Sequence, residues 1–447
     1  MKETLAKNER EIPGVFGDAV ARPSGVAVRG DWQRKLLTFA MIAGPGLIVM
    51  VADNDAGAVS TYTEAGARYG TSLLWLLLLL LPVTYFVQEM VARLGIATGE
   101  GHAAMIYKRF GPWWGRFSLC DLLLVNFLTL VTEFAAISLA FAKMGVSPYF
   151  AVPLAGVGLM LLVATGSYRR WERATLVLCA LNLAWFYVAF RSGTPGRAIL
   201  HDSIVPNIPL GGITGKLMFI VIALVGTTIA PWQLFFQQSC VADKRLRFSD
   251  LKWARLDTFV GAIFVIVFAA CMVLAGNAAR IVGISYEDPA QMAGKMIATH
   301  GRFISDAILL LMVNAALLGA TAISLSSSWA YGEVKGWPHS LQMKVSDAKG
   351  FYAVYLACVA AAAGLVLIPG APLQLIILSV QVLAGVMLPS AIIFLQLLLN
   401  DRQLLGATYV NKPWNNWVNW TIIILLFALS LILAAQVVAP GLFPGSN

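Results

Sequence analysis

The sequence predicts an all-α integral membrane protein of about eleven transmembrane helices. Three observations carry this. First, 59% of the 447 residues are hydrophobic and only 12% are charged, whereas a soluble domain carries roughly 25% charged residues. Second, apolar stretches of about 20 residues, the length that crosses a bilayer as a helix, recur along the whole chain. Third, the basic residues sit in short clusters between those stretches. A soluble enzyme, a disordered regulator and a disulfide-rich secreted protein are thereby excluded. The net charge of +9 reads as topology determinants rather than a nucleic-acid surface, so the expected surroundings are lipid and no nucleic acid.

Residues 1–35 are polar and contain Pro13, Gly14, Pro23 and Gly25 without an apolar core. They read as a cytoplasmic tail, not a signal peptide. The remainder, 36–447, reads as one transmembrane domain. Its spans fall near 36–69, 72–96, 117–143, 150–166, 174–191, 215–242, 256–276, 302–330, 350–368, 372–399 and 416–438. With the N-terminus inside, alternation places most of the 32 Lys and Arg residues on the cytoplasmic side and leaves the C-terminus outside, in a plasma (inner) membrane. The longest loops, 192–214 and 277–301, fall outside; neither carries a catalytic motif. Trp414, Trp417 and Trp420 read as an interface anchor. The five cysteines are scattered, with no C-x-x-C pair, and read as packing residues. No zinc-protease or Ser-His-Asp pattern lies in the spans, so the chain does not read as an enzyme.

Two spans are interrupted. The first is too long and carries Asp53-Asn54-Asp55-Ala56-Gly57 at mid-membrane depth, where charge is costly. The sixth carries Gly226-Thr227-Thr228-Ile229-Ala230-Pro231; Pro231 removes a backbone donor and breaks the helix, freeing carbonyls near Thr227 and Thr228. Spans one and six hold equivalent places if the chain is a five-plus-five inverted repeat, 36–191 and 215–399, followed by an extra helix, 416–438. Paired broken helices at matching positions point to a transport site at the midplane.

Each candidate residue has a functional and a plainer reading. Asp55 has no Lys or Arg nearby in its span, which favours metal binding over an internal ion pair. Asn54 is either a ligand or a cap of the following half-helix. Thr227 and Thr228 either offer freed carbonyls or bond back onto their own helix. Gln233 and Gln381 either bind the ion or link helices. Trp232 reads as a cavity wall, Asp53 as a source of field or structure, and Glu89 and Glu133 as buried acids that hold helices together, Glu133 also having a possible transport role.

The sequence at and around the two breaks resembles the NRAMP family of divalent-metal transporters. Gly44-Pro45-Gly46 opens the first span as in that family. Asp55-Ala56-Gly57-Ala58 takes the place of its D-P-G-N motif, and Gly226 to Pro231 that of G-A-T-V-M-P-H-N. Glu64-Ala65-Gly66-Ala67-Arg68-Tyr69-Gly70 and Ala92-Arg93-Leu94-Gly95-Ile96-Ala97-Thr98-Gly99 are close to family wording. The resemblance implies the LeuT-type inverted-repeat fold of amino acid and cation symporters.

It also implies where this chain departs. The family's metal-binding Asp is kept as Asp55, but the Asn position is Ala58 and the methionine position is Ala230. The family's two histidines of the sixth span are replaced by Trp232 and Gln237. In the third span Glu133 is kept, while the acidic residue three positions earlier is Leu130. A thioether favours transition metals, so its loss at Ala230 removes that preference and enlarges the site. Mg²⁺ keeps several waters around one or two carboxylates, which suits such a site. Candidate oxygens are the Asp55 carboxylate, the amides of Asn54, Gln233 and Gln381, and carbonyls at Thr227 and Thr228; Gln381 matches a family glutamine. The pattern resembles the NRAMP-related magnesium transporters and implies Mg²⁺ uptake with Mn²⁺ tolerated, the metal being substrate and no cofactor being needed. The proton route is expected to be lost, with Glu133 its one remaining titratable member; the four histidines, His102, His201, His300 and His339, fall in predicted loops or span ends. A proton-coupled Mn²⁺/Fe²⁺ importer and an amino acid or organic-solute symporter are the alternatives.

Overall fold

Backbone groups in lipid have no water to pair with, so an apolar run satisfies itself as a helix. The computed structural model describes residues 38, 39, 42–209, 212 and 214–438, and every regular element among them is helical. The expected tail 1–35 lies outside the described residues.

Each expected span has its helix. The first is split into α1 (Pro45–Ala52) and α2 (Ala56–Tyr69). Then come α3 (Leu74–Thr98), α4 (His102–Lys143) and the short α5 (Pro148–Val163). The fifth span is α6 (Tyr168–Leu181) followed by α7 (Ala184–Phe190). After a short α8 (Gly196–Ile204), the sixth is again split, into α9 (Gly215–Thr228) and α10 (Pro231–Asp243). The seventh is α11 (Leu251–Ile281), followed by short α12 (Pro289–Lys295) and α13 (Ile297–His300). The chain closes with α14 (Arg302–Lys335), α15 (Lys349–Val366), α16 (Leu373–Leu398), α17 (Arg402–Tyr409) and α18 (Pro413–Val438). Nine helical stretches among the described residues are long and apolar enough to cross a membrane. The divided first span and the 16-residue α5 bring the set to the expected eleven.

Three expectations change. The loops 192–214 and 277–301 are not bare connections. The first holds α8, tied to the start of the second span by Thr71 to Asp202 and by Trp75 Nε1 donating to the Asn207 carbonyl at 3.1 Å. His201 and then Thr71 donate to the Asp202 carboxylate and hold it below its ordinary range. The second holds α12, capped by the Asp288 side chain on the Gln291 N–H. The third change concerns the third span, which begins fifteen residues early by merging with the preceding turn across a kink at Gly111, φ 89°. His102 therefore opens α4 fully buried, with Nδ1 3.0 Å from Gln238 Oε1.

The broken spans sit at the centre, packed against α11, α14 and α16. Two glycines set one of those contacts. A Cβ at Gly66 would lie 2.0 Å from the Val273 carbonyl oxygen, and one at Gly276 2.0 Å from that of Thr63, so α2 and α11 touch backbone to backbone, as small residues permit in membranes. At the other end of the first span, Asp257 of α11 accepts from the Gly44, Gly46 and Leu47 N–H groups at 3.2, 2.7 and 3.2 Å. These are the orphan donors of a helix start. Lys244 closes the same corner, donating to the Ala43 carbonyl at 2.8 Å and to Glu172 at 2.7 Å.

Gly66→Val, which meets immovable backbone, is expected to lower the apparent melting temperature of the detergent-purified protein by several degrees, matching an overpacking cost of about 1–3 kcal/mol. Gly158→Val, on the outer face of α5 with nothing within 4 Å, is the matched control and should leave it unchanged in the same thermal-shift measurement.

Candidate metal site

The first break runs over Asp53, Asn54 and Asp55. Asp55 is extended, with ψ −173°, and caps α2: its Oδ1 accepts from the Ala58 N–H at 2.9 Å. The next N–H, that of Ala56, donates to Glu133 Oε2 of α4 at 3.1 Å. Two carboxylates thus face the positive end of one half-helix, the arrangement its dipole favours. Gly319 of α14 lets them crowd together, since a Cβ there would lie 2.8 Å from Asp55 Cβ and 2.9 Å from Glu133 Cδ. Asn54 donates from Nδ2 to the Val265 carbonyl of α11 at 3.3 Å, and its Oδ1 has no partner. The donor holds the amide in place and the acceptor stays free.

The second break follows from Pro231, which stands at the start of α10. It has no N–H, so the Thr227 carbonyl four residues earlier has no helical donor. Ile229 and Ala230 leave the helical region, with ψ 89° and 147°. Thr228 Oγ1 bonds back to the Leu224 carbonyl at 2.6 Å and takes the Tyr62 hydroxyl at 2.7 Å, so α2 and α9 are joined one residue before the break. Thr227 Oγ1 is unpartnered. Ala230 is buried and projects only a methyl group.

Gln381 of α16 completes the arrangement. A Cβ at Gly57 would lie 1.6 Å from Gln381 Nε2, so the missing side chain at Gly57 makes room for this amide against the first break. Its Nε2 has no partner. Gln233 lies between Asp53, to which its Nε2 donates, and Gln88 of α3, whose Nε2 donates to Gln233 Oε1 at 2.7 Å. A carbonyl oxygen has a second lone pair, so Gln233 Oε1 keeps one acceptor site. Trp232 is fully buried beside Phe236, and its carbonyl accepts from Ser326 of α14 at 3.1 Å. Gln237 donates instead to Thr258 at 3.1 Å. Ala58 is buried.

Asp55, Asn54, Glu133, Gln381 and both breaks are therefore brought to one region, and Gln233 reaches it through Asp53. Among the described residues no group of three or more His, Cys, Asp or Glu side chains forms a ready metal cluster. Oxygens of Asp53, Asn54, Gln88, Glu133, Thr227 and Gln237 are buried without a hydrogen-bond partner. Such groups cost free energy unless something pairs them. Sequence reasoning did not single out Gln88 or Tyr62. A lone glutamine or tyrosine inside an apolar run carries no signal of its partner.

The family described as natural resistance-associated macrophage protein-like (Nramp) matches residues 46–436. The divalent metal cation transporter MntH 1 of Pseudomonas aeruginosa is 28% identical over 430 residues, covering 91% of this chain and 94% of its own. The manganese transporter of Eremococcus coleocola, solved with an aromatic bis-isothiourea compound, superposes with a TM-score of 0.73 at 16% identity, over 93% of this chain and 90% of its own. MhsT, solved with L-phenylalanine, shares the fold at a TM-score of 0.59 and 14% identity, over 87% of this chain and 98% of its own. With two broken helices at the centre of this inverted-repeat fold and a family match over nearly all of its spans, the chain belongs to the Nramp family.

Proposed function

We propose that this protein is a divalent-metal transporter that carries Mg²⁺ into the cell, accepts Mn²⁺, and moves either ion without a proton. The observation that carries the reading is Ala230 at the second break: the position that holds a thioether in the resembled family here presents a methyl group. The remaining donors are oxygens, which do not prefer transition metals over Mg²⁺. The ligand set is the Asp55 carboxylate, the Asn54, Gln233 and Gln381 amide oxygens, and carbonyls at Thr227 and Thr228. Ala230 and Ala58 leave space for retained water, and Trp232 closes the wall. The charge bias of the loops supports an N-terminus in the cytoplasm and a C-terminus outside. The repeats are 36–191 and 215–399, with the last helix outside them.

Coupling is argued from the same positions. Leu130, Trp232 and Gln237 stand where the resembled family has titratable groups. A divalent ion gains about 4.6 kcal/mol per 100 mV of inside-negative potential, twice the unit-charge value, so accumulation requires no symport. A second reading, a proton-coupled Mn²⁺ importer, is favoured by two observations. Relatives are named for divalent metal or manganese transport, and Glu133 remains beside Asp55 with Oε1 unpartnered.

Three measurements in proteoliposomes test the proposal. Asp55→Ala is expected to abolish Mg²⁺ and Mn²⁺ flux while the protein keeps a monodisperse size-exclusion profile; normal Mg²⁺ flux removes the site. Ala230→Met is expected to shift preference toward Mn²⁺ or Cd²⁺ and weaken Mg²⁺ uptake; an active variant with unchanged selectivity counts against the soft-ligand argument. Mg²⁺ uptake is expected to leave a trapped pH-sensitive dye unchanged and to accelerate under an inside-negative potential. Metal-dependent acidification lost in Glu133→Gln would establish the coupled alternative.

A further inference from the structure

Asp53 lies outside the ligand set just described. It is 1% exposed. Its Oδ1 takes the Gln233 amide, its Oδ2 has no partner, and Gln233 is in turn held by Gln88 at 2.7 Å. Two amides in series, from α3 and α10, thus fix the direction of a carboxylate that stands two residues from Asp55. Burying a second acid here is unfavourable on its own. The amides hold one oxygen and leave the other open.

An ion that keeps part of its water shell supplies what that open oxygen lacks. Each retained water has two hydrogens to donate, and the spare lone pairs of the direct ligands take only some of them. Acceptors must stand one water further out. Asp53 Oδ2 is a charged acceptor of this kind, with Thr227 Oγ1, also unpartnered, as a neutral one. Two Cα atoms separated by one residue are at most about 7.6 Å apart. That span suits a carboxylate reaching the waters of an ion seated on Asp55. Mg²⁺ gives up water reluctantly, so a site that bonds the retained waters favours it over an ion that sheds them.

We propose that Asp53 accepts hydrogen bonds from the water shell of the transported ion and sets the preference for Mg²⁺, with Gln88 and Gln233 as its positioning residues. This rests on the Mg²⁺ reading above.

The test uses the full-length protein in proteoliposomes and compares KM for Mg²⁺ and for Mn²⁺. Asp53→Asn, which keeps the shape and removes the charge, is expected to raise the Mg²⁺ KM about tenfold, the usual lower bound for an outer partner of a metal site, and the Mn²⁺ KM about threefold or less. Gln88→Leu is expected to move the same ratio in the same direction and to add nothing once Asp53 is changed. An unchanged Mg²⁺/Mn²⁺ ratio in Asp53→Asn overturns the assignment, as does an equal loss for both ions. Metal-dependent acidification abolished by Asp53→Asn overturns it too, by making Asp53 a proton carrier. Should Asp53→Asn fail to fold, the ratio in Gln88→Leu decides. Wild-type protein that carries Mn²⁺ but no Mg²⁺ removes the Mg²⁺ reading and this assignment with it. Wild-type Mg²⁺ uptake with an unmoved ratio in the variants removes only the role of Asp53.

Discussion

A bilayer offers no hydrogen bonds to a backbone that stops being helical, and this chain stops twice at its centre. Each interruption exposes donors and acceptors that protein groups or a bound ion must pair. The positive end of α2 draws in Asp55 and Glu133. The start of α1 is covered by Asp257, and Asn54 is pinned to α11 through Val265. The neighbouring helices are therefore arranged around the breaks. Backbone-to-backbone contact at Gly66 and Gly276 keeps α11 close to the first span along its whole length.

The same constraint separates the two breaks chemically. At the first, the exposed groups are N–H donors, and acidic side chains gather there. At the second, Pro231 removes a donor and leaves carbonyl oxygen. Negative side chains from one side thus meet negative ends of backbone dipoles from the other. A proton or a metal ion relieves the repulsion between them, which is the physical basis of the cation site proposed here. The identity of the cation then depends on the remaining contacts. Sulfur at residue 230 would favour a soft ion, whereas a methyl group there leaves oxygen and water to decide.

Both breaks are legible in the sequence, because a proline and a pair of aspartates inside apolar runs have no other economical explanation. The number and order of the spans are legible for the same reason, hydropathy being a one-dimensional property of the chain. Contacts between spans are not. Gln88 and Gln233 lie 145 positions apart and Asp257 lies 211 from Gly46, and nothing local to either residue announces its partner. His102 shows the converse. It stands outside the apolar run and reads as a loop residue, yet the kink at Gly111 folds its turn inward, where it meets Gln238 and Phe235. The helices α8 and α12 were hidden by their shortness, since pieces under ten residues carry too little periodicity to read.

Gly57 and Gln381 carry a consequence for how this site can vary among related chains. A β-carbon at 57 would fall inside the Gln381 amide, so a side chain there displaces that amide from the first break. A chain that acquires a side chain at position 57 must shorten or withdraw the residue at 381, and a chain that shortens 381 opens a void which a larger residue at 57 can fill. The two positions should change together as lineages diverge, as a pair of interlocking characters rather than two independent ones.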